Sequence, residues 1–218
     1  MRIGLTGSMA AGKSTVSSIL SSLGLNIIDA DKTAHEALGL PDVMAELEAA
    51  FGNVILYENG AVNRKALANI AFSSPQNTYT LNSIVHPRVF EAMLKEAQES
   101  SRQAHIVFDV PLLFETGFER HCDKVLCVIA DDEARYERIM LRDGLSRAEA
   151  AARLARQMPQ EEKASRSDAV IINNGSAAEL EEAVLAALKC IGISLESVDG
   201  AVLSEAELES YMPDSTDE

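Results

Sequence analysis

A doubly wound α/β sheet is the fold class this sequence predicts, and three observations predict it. The chain opens on a short apolar run, a glycine-bounded loop and then a segment of helical period. Further short, wholly apolar runs recur between helix-period stretches, which suits parallel strands buried on both faces. Several of those runs end on a polar side chain, at Asp29–Asp31, Asp109 and Asn173.

The elements follow in order. Residues 2–6 read as a strand, and the next eight, from Gly7 to Ser14, fit the pattern G-x-x-x-x-G-K-[ST] at every fixed position. Val16, Ile19, Leu20 and Leu23 then recur at helical spacing, and Gly24 marks a stop. Residues 25–28 read as a second strand, so strand, helix and strand form a parallel βαβ unit. Right-handed crossover brings Asp29 and Asp31 out beside the glycine loop. From position alone, Asp29 and Asp31 are as readily a functional pair beside the loop as a solvated strand-end pair, with Asp31 capping the helix that follows as the other plain reading. Helices are expected over 32–38 and from Pro41 to Phe51, then a turn at Asn59–Gly60. Two further helices are expected from Asn63 to about Ile84. His86–Pro87 should punctuate the chain before another helix to about Ser100, because the residue before proline avoids helical angles. Positions 58–103 therefore read as a helical insertion fit for a second substrate.

A strand at 106–108 ends in Asp109, either a water-mediated magnesium carboxylate or an ordinary loop acid. Another strand spans 124–130. Arg135, Arg138 and Arg142 follow, then Asp143–Gly144, then a capping box at Ser146 and Glu149 with Arg147, Arg153 and Arg156. For most of these arginines an exposed face with i,i+4 pairs is the simpler expectation. A phosphate-closing lid over about 135–160 is the other. A fifth strand at 168–173 and a last helix to Lys189 complete one domain, 1–190, with residues 191–218 as an acidic tail.

Composition sets the bounds. The 218 residues carry 47% hydrophobic and 24% charged side chains, ordinary for one soluble domain. The net charge of −15 disfavours nucleic acid as a partner. About half of that excess lies after Lys189, where no lysine or arginine remains. Three cysteines without C-x-x-C spacing read as reduced thiols of a cytoplasmic protein. No leader or membrane-spanning run is expected.

The chemistry of the loop follows from its geometry. Gly7 and Gly12 allow the curl that turns backbone amides inward as an anion nest, and the following helix adds its positive end. Gly7, Ala10, Ala11, Gly12, Lys13, Ser14 and Thr15 are thus the candidate ATP-binding residues. Lys13 is placed to reach the β- and γ-phosphates, and the Ser14 hydroxyl to ligate Mg2+. The absence of an Asn-Lys-x-Asp signature disfavours a GTP switch.

Four stretches resemble the dephospho-coenzyme A kinase family. They are Leu5 to Thr15, Ile28–Asp31 with Ala34–His35, Leu81–Asn82 with His86–Pro87, and Asp109 to Glu115. Arg142–Asp143–Gly144 with Arg153 and Gln157, and Asp168 to Asn173, extend the match over about 1–190. Ala11 departs from the serine usual in the family, and the tail is extra. The resemblance implies a P-loop NTP hydrolase fold with a five-stranded parallel sheet, a helical substrate-binding insertion and a helical lid. It implies transfer of the ATP γ-phosphoryl to the ribose 3′-hydroxyl of dephospho-CoA. In that scheme Asp31, Lys13 and Arg142 are catalytic. Asp31, His86, Asp109, Leu112, Leu113 and Glu115 line the acceptor site, and Ser14 holds the metal. The expected partners are ATP and dephospho-CoA, for a cytoplasmic monomer or small homo-oligomer with no nucleic acid or membrane. Another small-molecule kinase of the same fold, or an ATP-gated regulatory protein, is the alternative.

Overall fold

The computed structural model describes residues 1–100 and 105–194. Along the chain run β1 (Arg2–Gly7), α1 (Lys13–Ser22), β2 (Asn26–Asp29), α2 (Ala30–Ala37), α3 (Pro41–Phe51), α4 (Arg64–Ala71) and α5 (Pro75–Glu99). Then follow β3 (Ile106–Asp109), α6 (Leu113–Thr116), β4 (Lys124–Ile129), α7 (Asp132–Asp143), α8 (Arg147–Leu154), α9 (Gln160–Ser165), β5 (Ala169–Ile172) and α10 (Ala177–Cys190).

The strands form one five-stranded sheet in the order β2-β3-β1-β4-β5. β1 is central and pairs in parallel with β3, Leu5 opposite Asp109, and with β4, Gly7 opposite Val128. β4 pairs in parallel with β5. Both faces of β1 are covered, which is why it reads as apolar without alternation. Ile3 and Leu5 pack with Val16, Ile19 and Leu20 of α1 and with Leu180, Val184 and Leu188 of α10. Each such side chain contributes about 1.5–3 kcal/mol when fully buried. In this topology the exits of β1, β3, β4 and β5 share the carboxyl edge, where ligands of open α/β sheets bind.

Contacts divide the chain into two units, Met1–Ile27 with the part from Ser101 onward, and Ile28–Ser100. The second unit holds most of the expected helical insertion and also α2 and α3 ahead of it. At the other end, Ile191 and Ile193 are buried in the core of the first unit, so packed chain continues past the expected boundary at 190. The expected acidic tail otherwise falls on residues 195–218, outside the described residues.

Within the helical unit α5 packs on α2, α3 and α4. The break expected at His86–Pro87 does not occur, and α5 runs through Pro87 to Glu99. Val85, Val89, Met93 and Ala97 form its buried stripe, while Pro87 and Ser83 are exposed. The carbonyl that proline leaves without an N–H partner, that of Ser83, therefore lies on the solvent side. Continuous burial of one face outweighs the local preference. The expected turn at Asn59–Gly60 is present, but as a single antiparallel bridge between Leu56 and Val62 after a 3₁₀ turn at Asn53–Ile55.

Candidate active site

The glycine loop leaves β1 at Gly7, where a side chain would lie 2.7 Å from the Val128 carbonyl. Ala10 (φ 61°) and Gly12 (φ 90°) are both left-handed. Alternating the hand of successive residues turns their amides toward one side. The outer side of the loop is braced. The carbonyl of Met9 accepts from Arg135 Nε at 3.3 Å, that of Ala10 from Arg138 Nη1 at 3.1 Å, and that of Ala11 from Asn173 Nδ2 at 2.9 Å. Because a trans peptide sets N–H opposite its carbonyl, these bonds point the amides of Ala10 and Gly12 into the concave side. Ala11 N–H closes the turn on Ser8 O at 3.1 Å. Asn173 also occupies the place a Gly12 side chain would need.

Lys13 begins α1 and donates to Asp109 Oδ1. Asp109 ends β3 and is only 5% exposed. A buried carboxylate needs such a partner. The pair brings together two residues that sequence placed on different strand exits. Ser14 and Thr15 lie in the first turn of α1, with Ser14 exposed. A hydroxyl and a carboxylate oxygen are the hard donors magnesium takes, so Ser14 and Asp109 fit that ion as a donor set. Among the described residues no group of three or more His, Cys, Asp and Glu forms a ready metal cluster.

The segment after Asp109 divides by role. Leu112 is exposed, but Leu113, expected to line the acceptor pocket, is fully buried under Gly4 of β1 and belongs to the core. Glu115, part exposed, accepts from the Lys163 ammonium at 2.9 Å and from Met158 N–H at 3.1 Å. Lys163 has no exposed surface.

The arginine helices divide as well. Arg135 is buried and, like Arg138, holds the loop, where an exposed face was the simpler expectation. Arg142 is 57% exposed and forks onto Asp143 at 2.8 and 3.1 Å, and Arg153 joins at 2.6 Å. The Arg142 guanidinium holds the Asp143 carboxyl below its ordinary range, and Asp143 raises Arg142. Gly144 (φ 63°) ends α7, and the expected capping box at Ser146 and Glu149 starts α8. Gln157, two residues past the start of the return from α8, accepts from Met9 N–H at 3.0 Å.

In the helical unit the cap of α2 is Asp29, whose Oδ1 accepts from Asp31 N–H at 2.8 Å and Lys32 N–H at 3.1 Å. Asp31 itself is exposed in the first turn. His35, one turn on, meets Arg64 at 2.6 Å. His86 stacks on Phe90 with centroids 5.7 Å apart, and burial lowers its pKa.

Arg135, Arg138, Gln157, Asn173 and Lys163 thus hold parts of the site that sequence had assigned no such task. Asn173 and Gln157 carried a signal, one at a strand exit and both within stretches shared with the resembled family. Lys163 carried none, since Glu161–Glu162–Lys163 reads as solvated helix.

The three thiols are free. Burial pushes Cys122 up to about 12 and Cys127 up to about 11, so neither is a ready nucleophile.

Residues 1–179 match the family model described as "CoaE: Dephospho-CoA kinase". The dephospho-CoA kinase of Geobacillus kaustophilus is 46% identical over 193 residues, 87% of this chain and 96% of that protein. A solved structure from Thermus thermophilus superposes with a TM-score of 0.78 at 36% identity, covering 89% of this chain and 98% of the other. The dephospho-CoA kinase structure from Campylobacter jejuni gives 0.67 at 32% identity, covering 87% and 96%.

Proposed function

The chain belongs to the dephospho-CoA kinase family, and from that premise we propose how its residues divide the work. The reaction moves the γ-phosphoryl of ATP to the ribose 3′-hydroxyl of dephospho-CoA, giving CoA and ADP. Phosphoryl transfer asks for alignment and charge neutralisation more than for covalent chemistry. The braced loop carries the reading: three consecutive carbonyls tied outward leave amides for phosphate oxygens. Lys13 exchanges its hold on Asp109 for the β- and γ-oxygens when nucleotide enters. Asp109 is then released to orient the acceptor side.

Ser14 would hold Mg2+, for which the Asp109 carboxylate offers a further hard donor, and the ion would supply neutralisation of charge at the β- and γ-phosphates. Asp31 accepts the proton of the acceptor hydroxyl. What supports this is its match to the family's Asp-Ala-Asp stretch and its exposed place in the first turn of α2. Arg142 leaves Asp143 to meet charge on the transferring group, and the Gly144 turn gives its helix a hinge. His86 and Leu112 are assigned to the acceptor by the stretches they share with the family. Glu115 serves that pocket by shaping it. The enzyme works on small molecules in the cytoplasm, as a monomer or small homo-oligomer. Its net charge of −15 supports the absence of nucleic acid, and no helix among the described residues is long and apolar enough to cross a membrane.

The test is ADP release from ATP with and without dephospho-CoA. Wild-type should require the acceptor for fast turnover, and Asp31→Asn should lose about 10²-fold or more in kcat with ATP affinity kept. Equal turnover without acceptor would overturn the function. Near-normal turnover by Asp31→Asn would remove the base assignment alone.

A further inference from the structure

We propose that Lys163 is a positioning residue that locks the exit of β3 to the return of the lid, so that nucleotide at the glycine loop is felt at Asp109. The proposal rests on the kinase reading above. Lys163 sits in α9, wholly buried, where an ammonium loses its hydration. Its Nζ has two partners, the Pro111 carbonyl at 2.7 Å and Glu115 Oε1 at 2.9 Å. Both belong to the segment leaving β3 just after Asp109.

The bonds continue in both directions. Pro111 O also accepts from Thr6 Oγ1 at 3.0 Å, which fixes it against the end of β1 just before the loop. Glu115 Oε1 also accepts from Met158 N–H at 3.1 Å. The neighbouring Gln157 accepts from Met9 N–H of the loop at 3.0 Å. The circuit therefore runs from Met9 to Gln157–Met158, through Glu115 and Lys163 to Pro111, and back to Thr6. It touches the nucleotide loop, the chain returning from α8, and the strand exit that carries Asp109.

A wholly buried lysine ammonium is a poor choice for stability alone, since an apolar residue of the same volume often serves as well or better. What apolar packing does not supply is direction. A lysine with two oxygen partners fixes where the Pro111 carbonyl and the Glu115 carboxylate point, and Glu115 in turn fixes Met158. Asp109 lies two residues from Pro111. Displacing that exit misplaces its carboxylate relative to Lys13 while leaving the loop's amides untouched, because those are braced separately by Arg135, Arg138 and Asn173.

The experiment uses the full chain, Lys163→Met, Glu115→Gln and the double variant. Hydrogen exchange is read with and without ADP, beside steady-state kinetics with ATP and dephospho-CoA. In wild-type, ADP should slow exchange across residues 109–116 as well as across the loop. In Lys163→Met the loop should stay protected and residues 109–116 should not. The kcat should fall roughly tenfold to a hundredfold, with ADP affinity within about threefold. Glu115→Gln should lose part of the same effect, and the double variant should be no worse than Lys163→Met. Transmission to 109–116 that survives in Lys163→Met, or a lowered Tm with kcat unchanged, would show a merely structural lysine. Additive losses in the double variant would place Glu115 on the substrate and break the circuit. If Lys163→Met fails to fold, Glu115→Gln decides by the same readouts, and wild-type protection in it overturns the proposal. A wild-type that ignores dephospho-CoA would count against the kinase reading, while the exchange data would still decide Lys163.

Discussion

At Gly12 two constraints fall on the atom that glycine lacks. Its φ of 90° is strained for any side chain, and the Asn173 amide fills the space a Cβ would take. Gly12→Ala should therefore cost about 1–3 kcal/mol in backbone strain alone, read by denaturant melts. It should also weaken ATP, because Asn173 must leave the Ala11 carbonyl it holds. Asn173→Ala isolates that second effect. With normal backbone angles it loses one hydrogen bond to the loop, worth about 0.5–1.5 kcal/mol, or roughly a threefold to tenfold rise in the ATP KM. In the pair Gly12→Ala with Asn173→Ala the clash disappears and the strain remains, so stability should recover only in part. Full recovery would mean that the left-handed angle costs nothing, and that the loop is shaped by its braces alone.

At the scale of one element, α5 shows where local rules yield. Pro87 predicts a boundary, yet the helix continues because four buried side chains on one face need it to. The lost hydrogen bond falls at Ser83, where water serves the carbonyl. Pro87→Ala restores an N–H to that carbonyl and should raise stability by about 1–2 kcal/mol, less than the ~3 kcal/mol of a fully interior proline. The shift in urea midpoint at constant m measures it. A lower midpoint would mean that the proline sets a bend on which the packing of α2 and α3 against α5 depends. Elsewhere the local signals agree with the result. The Ser146–Glu149 and Ser176–Glu179 boxes, the Gly144 stop and the Asn63 cap stand where their residue types put them, because each is satisfied within four residues of chain.

For the molecule as a whole, that same range decides what was legible. The five strands, their parallel sense and the glycine loop could be read because their chemistry is contiguous. Lys13 with Asp109, Arg138 with Ala10 and Lys163 with Pro111 join residues far apart in sequence, and no local pattern marks them. The end of the packed chain is a third case. The sequence turns acidic and hydroxyl-rich after Cys190, which placed the boundary there. Yet the chain turns at Gly192 and returns Ile191 and Ile193 to the core beside Leu188. Two chains, one ending at Cys190 and one at Ser194, test this directly. Burying both isoleucines is worth about 3–6 kcal/mol at the usual value for such side chains, so the shorter chain should unfold at a lower temperature by roughly 6–24 °C. Both should bind ADP at temperatures where they are folded, since the loop, its braces and Lys163 lie wholly before residue 190. Equal melting temperatures would show that α10 is complete without its turn, and that the boundary belongs at 190 after all.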